Sequence, residues 1–200
     1  MNVSFAFSGP CNAGKTTVLE KIHAKFGSRI HGVRECIRSK ISTSIDAVRS
    51  SPLAYFKLQQ QAITEKMRQE DEALATKDGK LILMDRSLAD SLFYLTYHVD
   101  TRGFTDAQKK EHADFVKFVV DTSKARKRYD IVFMCQPLPI QVRDVMRPQD
   151  LAVTQTTEHC LIETLNIGLF TGLSKLTKVD VRTEEGQILQ ACEEALSELQ

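Results

Sequence analysis

The chain has 200 residues, 42% hydrophobic and 26% charged, which is the composition of a folded globular domain and excludes disordered and collagen-like classes. Lys and Arg number 27 against 26 Asp and Glu, so overall charge alone would hold it neither to nucleic acid nor to an anionic lipid surface. The longest apolar runs, 81–84 and 131–135, fall far short of the ~20 residues a membrane span needs. The N-terminus has no basic stretch leading into an apolar one, so a cytoplasmic setting without membrane or export is expected. Five cysteines, at 11, 36, 135, 160 and 192, are odd in number and form no C-x-x-C, which points to reduced thiols, mostly in the core.

Taken in chain order, residues 3–7 run apolar into Ser8-Gly9-Pro10, a strand feeding a turn. From Lys15 the apolar positions Val18, Leu19, Ile22 and Phe26 recur at helical spacing. Residues 30–35 form a short second strand. Ser51-Pro52 then offers an N-cap with proline at the first helical position. That helix carries Leu53, Phe56, Gln60, Ile63, Met67 and Leu74 on one stripe and is expected to stop at Asp78-Gly79. Gln60 stands where a leucine would be the plain choice, so if the stripe is buried it needs a polar partner. Residues 80–85 are a buried strand ending in a carboxylate, and 89–98 return to a helical pattern. Thr105-Asp106-Ala107-Gln108 is a capping box opening another helix. A buried strand over 130–135, a helix over about 149–170, a strand over 178–181 and a terminal helix capped at 183–185 complete the chain. Strands and helices alternate, which predicts an α/β fold of three layers, with about five parallel strands covered on both faces. No linker or repeat divides it, so residues 1–200 are expected to be one domain, with a short lid around 137–150.

Gly9-Pro10-Cys11-Asn12-Ala13-Gly14-Lys15-Thr16 fits G-x-x-x-x-G-K-[ST] without mismatch and stands between a strand and a helix. Backbone NH groups of such a loop, with Thr17 beginning the helix behind it, cradle phosphate oxygens. Lys15 would reach the β and γ phosphates of ATP, and the Thr16 hydroxyl would bind Mg²⁺. Cys11 reads better as a small tolerated loop residue than as a redox switch. Asp85, at the end of its strand, fits a Walker-B carboxylate that holds Mg²⁺ opposite Thr16, and Arg86 can present its planar fork to phosphate.

The segment 85–94, Asp-Arg-Ser-Leu-Ala-Asp-Ser-Leu-Phe-Tyr, resembles the Asp-Arg segment after the third strand of thymidylate kinases and deoxyribonucleoside kinases. More closely still it resembles the AAA-type kinases that include nicotinamide riboside kinase domains, where Asp-Arg is followed by an aspartate and then an aromatic. Glu35-Cys36-Ile37-Arg38 looks like that family's Glu-x-x-Arg after the second strand. Pro137-Leu138-Pro139 with Asp144-Val145-Met146-Arg147 is similar to its Pro-x-Pro and its Asp-x-x-Arg lid. The resemblance implies a P-loop kinase fold. Ser87 departs from the tyrosine of thymidylate kinases, and Asp85 from the glutamate that opens the segment in deoxyribonucleoside kinases, which leaves the acceptor open.

The resulting expectation is an ATP- and Mg²⁺-dependent phosphotransferase acting on a nucleoside or (deoxy)nucleoside monophosphate. Lys15, Asp85, Arg86 and the lid residues Arg143 and Arg147 would surround the transferring phosphate. Glu35 would orient or deprotonate the acceptor hydroxyl, or else pair structurally with Arg38. The resemblance implies that Phe56 and Gln60 stack on and read a base; packing for Phe56 and a rim position for Gln60 are the plain alternatives, as solvated surface is for Arg143 and Arg147. A nucleic-acid acceptor, a hydroxymethylated base in DNA, would use Arg102 and the cluster from Lys124 to Arg128. That cluster equally suits a helix C-terminus. A P-loop ATPase or switch with no acceptor is the rival from another class, and whether the chain acts alone or as a homodimer is open.

Overall fold

The computed structural model describes residues 2–11, 13–34, 48, 50–137, 152–169 and 175–199. The elements run β1 (Val3–Ser8), α1 (Lys15–Phe26), β2 (Ile30–Val33), α2 (Pro52–Ala75), β3 (Leu81–Asp85), α3 (Leu88–His98), α4 (Asp106–Ala125), β4 (Ile131–Cys135), α5 (Ala152–Leu169), β5 (Lys175–Val179) and α6 (Glu185–Glu198). All strand pairs are parallel, in the order β2-β3-β1-β4-β5. The expected parallel sheet is therefore present, and β1 lies at its centre, with β3 on one side and β4 on the other. The order reverses at that strand, so the chain leaving its C-terminal end opens onto the crevice where α/β sheets take their ligands.

Period-2 alternation assigns each strand side chain to a face. Phe5, Phe7, Leu81 and Leu83 pack with Val18 and Ile22 of α1 and Ile188 and Leu196 of α6. Ala6, Ile82 and Met84 pack on the other face with Phe56 and Ile63 of α2 and Leu88 and Leu92 of α3. Both faces are covered, which is why β1 and β3 read as apolar runs and not as alternating ones. Each buried Val, Leu, Ile, Phe or Met among them contributes about 1.5–3 kcal/mol by leaving water. No helix among the described residues is long and apolar enough to cross a membrane.

Several boundaries differ from the sequence reading for local reasons. Helix α2 ends at Ala75, ahead of Asp78-Gly79, because side chains take over its last carbonyls: Thr76 Oγ1 donates to Ala73 O at 2.8 Å and Asn2 Nδ2 to Thr76 O at 2.7 Å. Gly79, at φ +64, serves the turn into β3 instead. Ser51 holds the N-cap position without a side-chain cap bond, and Pro52 is the first helical residue. β5 starts at Lys175, earlier than the expected 178, because its register is set by pairing with Ile131–Cys135 and its edge position leaves Lys175 and Lys178 exposed. The terminal helix starts at Glu185 behind Glu184, not under a Thr183 cap. The Thr105–Gln108 capping box forms as expected.

The direction of α2 matters for the site. Its last turn meets Asn2 at the start of β1, whereas Lys66 Nζ donates to the carbonyl of Asp85 at the end of β3, 3.2 Å away. The helix thus runs against the strands. Phe56, ten residues before Lys66, stands about 15 Å from it along the helix, in the direction that leads past the C-terminal ends of the strands.

Candidate functional site

The loop after β1 is shaped by two glycines. Gly9 has φ +130, and a Cβ there would lie 2.5 Å from the carbonyl oxygen of Cys135 on β4, so neither the conformation nor the space admits a side chain. Gly14 has φ +75 and is the N-cap of α1. No side chain caps that helix and no acidic residue stands in its first turn, which leaves its amide end electropositive toward the loop. This is the arrangement that binds phosphate.

Lys15 is 6% exposed, with Nζ donating to the carbonyls of Gly9 at 2.8 Å and Pro10 at 2.6 Å. Burial, and then the neighbouring Arg86 guanidinium, push its pKa below the ordinary lysine value, against the opposing pull of Asp90. An anion entering the loop reverses that balance by supplying a full negative charge. Thr16 and Thr17 are exposed at the start of α1, and Thr16 Oγ1 stands 3.5 Å from Asp85 Oδ2. Beside them opens a cleft of about 120 Å³, lined by Thr16, Glu20, His23, Arg34 and Asp85 among others. A hydroxyl and a carboxylate facing each other next to a phosphate loop are hard oxygen donors of the kind Mg²⁺ takes, with phosphates and water filling its remaining positions. The residues present therefore fit the metal, and the helix end and Lys15 offer donors of the kind phosphate takes.

Asp85 does not cap the following helix. Ser87 does that, in a capping box with Asp90, so the Asp85 side chain is left facing Thr16. Arg86 is buried, not solvated, and has φ +72, a conformation costing a non-glycine residue roughly 1–3 kcal/mol. Its guanidinium turns back under the loop, with Nη1 3.3 Å from both Gly9 O and Asp90 Oδ1, and it lies over the Tyr94 ring at 5.1 Å from the centroid.

Asp90 organises this corner. Its carboxylate, fully buried, accepts from Gly9 N at 2.9 Å, Ser87 N at 3.0 Å, Ser87 Oγ at 2.9 Å, Ser8 Oγ and Arg86. Tyr94 Oη is 3.1 Å from Cys11 Sγ, and burial raises the phenol well above its ordinary pKa, so it stays neutral. From α5, Gln155 Nε2 donates to Cys11 O at 3.3 Å and Asn166 Nδ2 to Ser8 Oγ at 2.8 Å. Sequence reasoning gave no role to Asp90, Tyr94, Gln155 or Asn166. The Ser87-x-x-Asp90 capping signature could have singled out Asp90; nothing local marks the two α5 residues.

Of the residues singled out in sequence, Gly9, Pro10, Cys11, Ala13, Gly14, Lys15, Thr16, Asp85 and Arg86 come together here. Asn12, Glu35, Arg38, Arg143 and Arg147 lie outside the described residues, as does the expected lid except for Pro137. Phe56 is fully buried, its ring 5.3 Å from His112 and 6.0 Å from Phe104, so it packs as a core residue. Gln60 is half-buried, with Nε2 3.4 Å from Glu111 Oε1, and borders an open depression with Thr64 and Phe115. The glutamine that burial forces into a partnership is Gln59, which donates to Tyr55 Oη at 2.8 Å.

In the cluster from Lys124 to Arg128, Arg128 is 1% exposed and pairs with Glu70 and Asp71, Arg126 pairs with Asp71, and Lys127 with Asp130. Arg102 is exposed and held by Asp100. Cys11, Cys135 and Cys192 are buried and Cys160 is exposed, all as free thiols; burial pushes the Cys135 pKa up to about 12. A family model described as the AAA domain matches residues 4–171. No curated protein matches the chain.

Proposed function

This chain belongs to the AAA domain family, a P-loop nucleotide-binding family, and from that premise we propose that it is an ATP- and Mg²⁺-dependent kinase whose acceptor is a nucleoside or a (deoxy)nucleoside monophosphate. The observation that carries the reading is the corner shared by Lys15 and Arg86. Two cations, one opening α1 and one following β3, meet at the Gly9 carbonyl of one phosphate loop, with Asp90 fixing both the loop and the arginine. A P-loop switch needs the lysine, the threonine and the aspartate. A buried arginine held in a strained conformation beneath the same loop is more than a switch requires, and it braces the loop on which a transferring phosphate would sit.

In the proposed reaction the bond between the γ-phosphorus and the bridging oxygen of ATP breaks, leaving ADP. A bond forms from that phosphorus to the acceptor oxygen, whose proton passes to Glu35 as the proposed base. Lys15 and the amide end of α1 hold the β and γ phosphates in line with the acceptor. Arg86, paired with Asp90 beneath the loop, is proposed to brace the cradle through Gly9, and Arg143 and Arg147 are proposed to compensate charge on the equatorial oxygens and exclude water. Mg²⁺, held through Thr16 and Asp85, supplies charge neutralisation when bound.

The acceptor is proposed to lie against the first half of α2, which leads past the C-terminal ends of the strands, with Gln60 reading it and Phe56 backing that wall. We favour a small acceptor over a base in DNA because Arg126, Lys127 and Arg128 are already committed to carboxylates. A screen of nucleosides, monophosphates and modified oligonucleotides with labelled ATP tests this. Transfer of label with ADP release that depends on a small acceptor is expected. Label on the oligonucleotide would move the acceptor to DNA, and hydrolysis that no acceptor stimulates would make the chain an ATPase or switch.

A further inference from the structure

The turn Asp85-Arg86-Ser87-Leu88 is gripped at both ends by groups that converge on one buried carboxylate outside the phosphate site. At its start, Lys66 Nζ donates to Asp85 O at 3.2 Å and pairs with Glu70 Oε1 at 3.2 Å. At its end, the Leu88 amide donates to Tyr129 Oη at 2.9 Å, and that hydroxyl donates to Glu70 Oε1, also at 2.9 Å. Arg128 Nη1 lies 3.2 Å from Glu70 Oε2 and completes the group. Lys66, Glu70, Arg128 and Tyr129 are all 3% exposed or less.

Burying two cations and a carboxylate costs free energy in desolvation, and an apolar cluster would fill the same space at no such cost. Stability alone is a poor reason for the arrangement. What it touches is more telling. Between the two gripped ends sits Arg86 at φ +72, and a non-glycine residue keeps such a conformation only where its surroundings over-determine it. Lys66 and Tyr129 meet the backbone of the turn, so they act on the Asp85 carboxylate through the path of the chain.

We propose that Lys66, Glu70 and Tyr129 are positioning residues that set the Asp85–Arg86 turn, so that Asp85 meets Thr16 and the metal while Arg86 stays under the loop. The proposal rests on the reading of Thr16 and Asp85 as the Mg²⁺ site. It also joins that site to α2, since Lys66 is part of the same continuous 24-residue helix as Gln60.

The test is binding of a fluorescent ATP analogue to Tyr129→Phe and Lys66→Met, titrated with Mg²⁺ and repeated without it, next to thermal unfolding. Ile188→Val, buried on the opposite face of the sheet, is the control for a general loss of stability. In the substituted proteins the Mg²⁺ concentration for half-maximal enhancement should rise about 10-fold or more, as for loss of other metal-orienting partners. Metal-free affinity should fall by a smaller factor than the Mg²⁺ requirement rises, since Lys15 and the amide end of α1 are untouched, and Ile188→Val should leave the Mg²⁺ dependence as it was. A Mg²⁺ dependence unchanged in both Tyr129→Phe and Lys66→Met, with only lowered thermal stability, overturns the proposal. If binding by the unsubstituted protein ignores Mg²⁺ altogether, the metal reading itself fails, and the proposal with it. Should one variant not fold, the other decides.

Discussion

The Asp90 carboxylate accepts from the Gly9 amide at 2.9 Å, so the first residue of the phosphate loop is fixed by the helix that follows β3. The same carboxylate takes the Ser87 amide and faces Arg86, which makes loop and Asp-Arg turn one rigid body. Removing it leaves Arg86 with an uncompensated charge in a dry corner. Asp90→Ala should therefore lower unfolding stability by roughly 3–5 kcal/mol. A shifted urea midpoint at constant slope measures this, and a midpoint within experimental error of the parent would show that the corner is not held by charge.

Gly9→Ala tests the close approach of β4. The added methyl must displace the Cys135 carbonyl and also adopt φ +130. The strain alone is worth about 1–3 kcal/mol, and the relief available is movement of the loop. Nucleotide affinity should fall together with stability. Retained affinity in a stable Gly9→Ala protein would mean that the loop does not need its present path.

Lys15→Ala should abolish phosphoryl transfer while leaving the chain folded, because it removes a buried cation whose contacts are two loop carbonyls. Turnover at the parent rate would sink the kinase mechanism. Unfolding by the same substitution would instead show that those carbonyl contacts hold the loop together.

A pH effect follows from the lowered pKa of Lys15. Between its folded value and 10.5 the unfolded chain binds more protons than the folded one, so this lysine makes the ligand-free protein gain stability as pH rises through that window. Nucleotide affinity should move the other way, since a neutral amine must take up a proton to meet phosphate. Calorimetry in two buffers of different ionisation heat should reveal proton uptake on binding at alkaline pH, absent in Lys15→Arg. Identical binding heats across buffers would contradict the linkage.

Gln60→Leu should raise acceptor KM or relax base choice, with kcat within about twofold, because the side chain is a wall residue distant from the phosphate loop. An unchanged acceptor profile would return Gln60 to the helix surface, bonded only to Glu111.

The phosphate-loop motif, the alternation of strands and helices and the carboxylate closing β3 were legible in the chain because each is a pattern of neighbours in sequence. Glycine spacing sets a loop, apolar runs set buried strands, and a carboxylate at a strand end has one direction to face. Helix α2 shows where such reading stops. Its periodic stripe placed Phe56 correctly inside, but took Gln60 as the residue in need of a partner, whereas Gln59 is the buried one. Lys66 and Glu70 carry no inward signal, since an i,i+4 pair of opposite charge reads as helix surface, and the further partners of Glu70, Arg128 and Tyr129, lie about 60 positions away in the chain.

The sequence by itself determined a near-neutral α/β chain with a phosphate loop, because backbone conformation and local hydrophobic period are properties of short segments. Only the tertiary structure decided how that loop is held. Asp90 beneath Gly9, Arg86 turned back at positive φ, and Glu70 behind the turn depend on charges meeting across three or more elements. Their burial is tolerable only because the partners arrive together, and no segment of the chain contains that information alone.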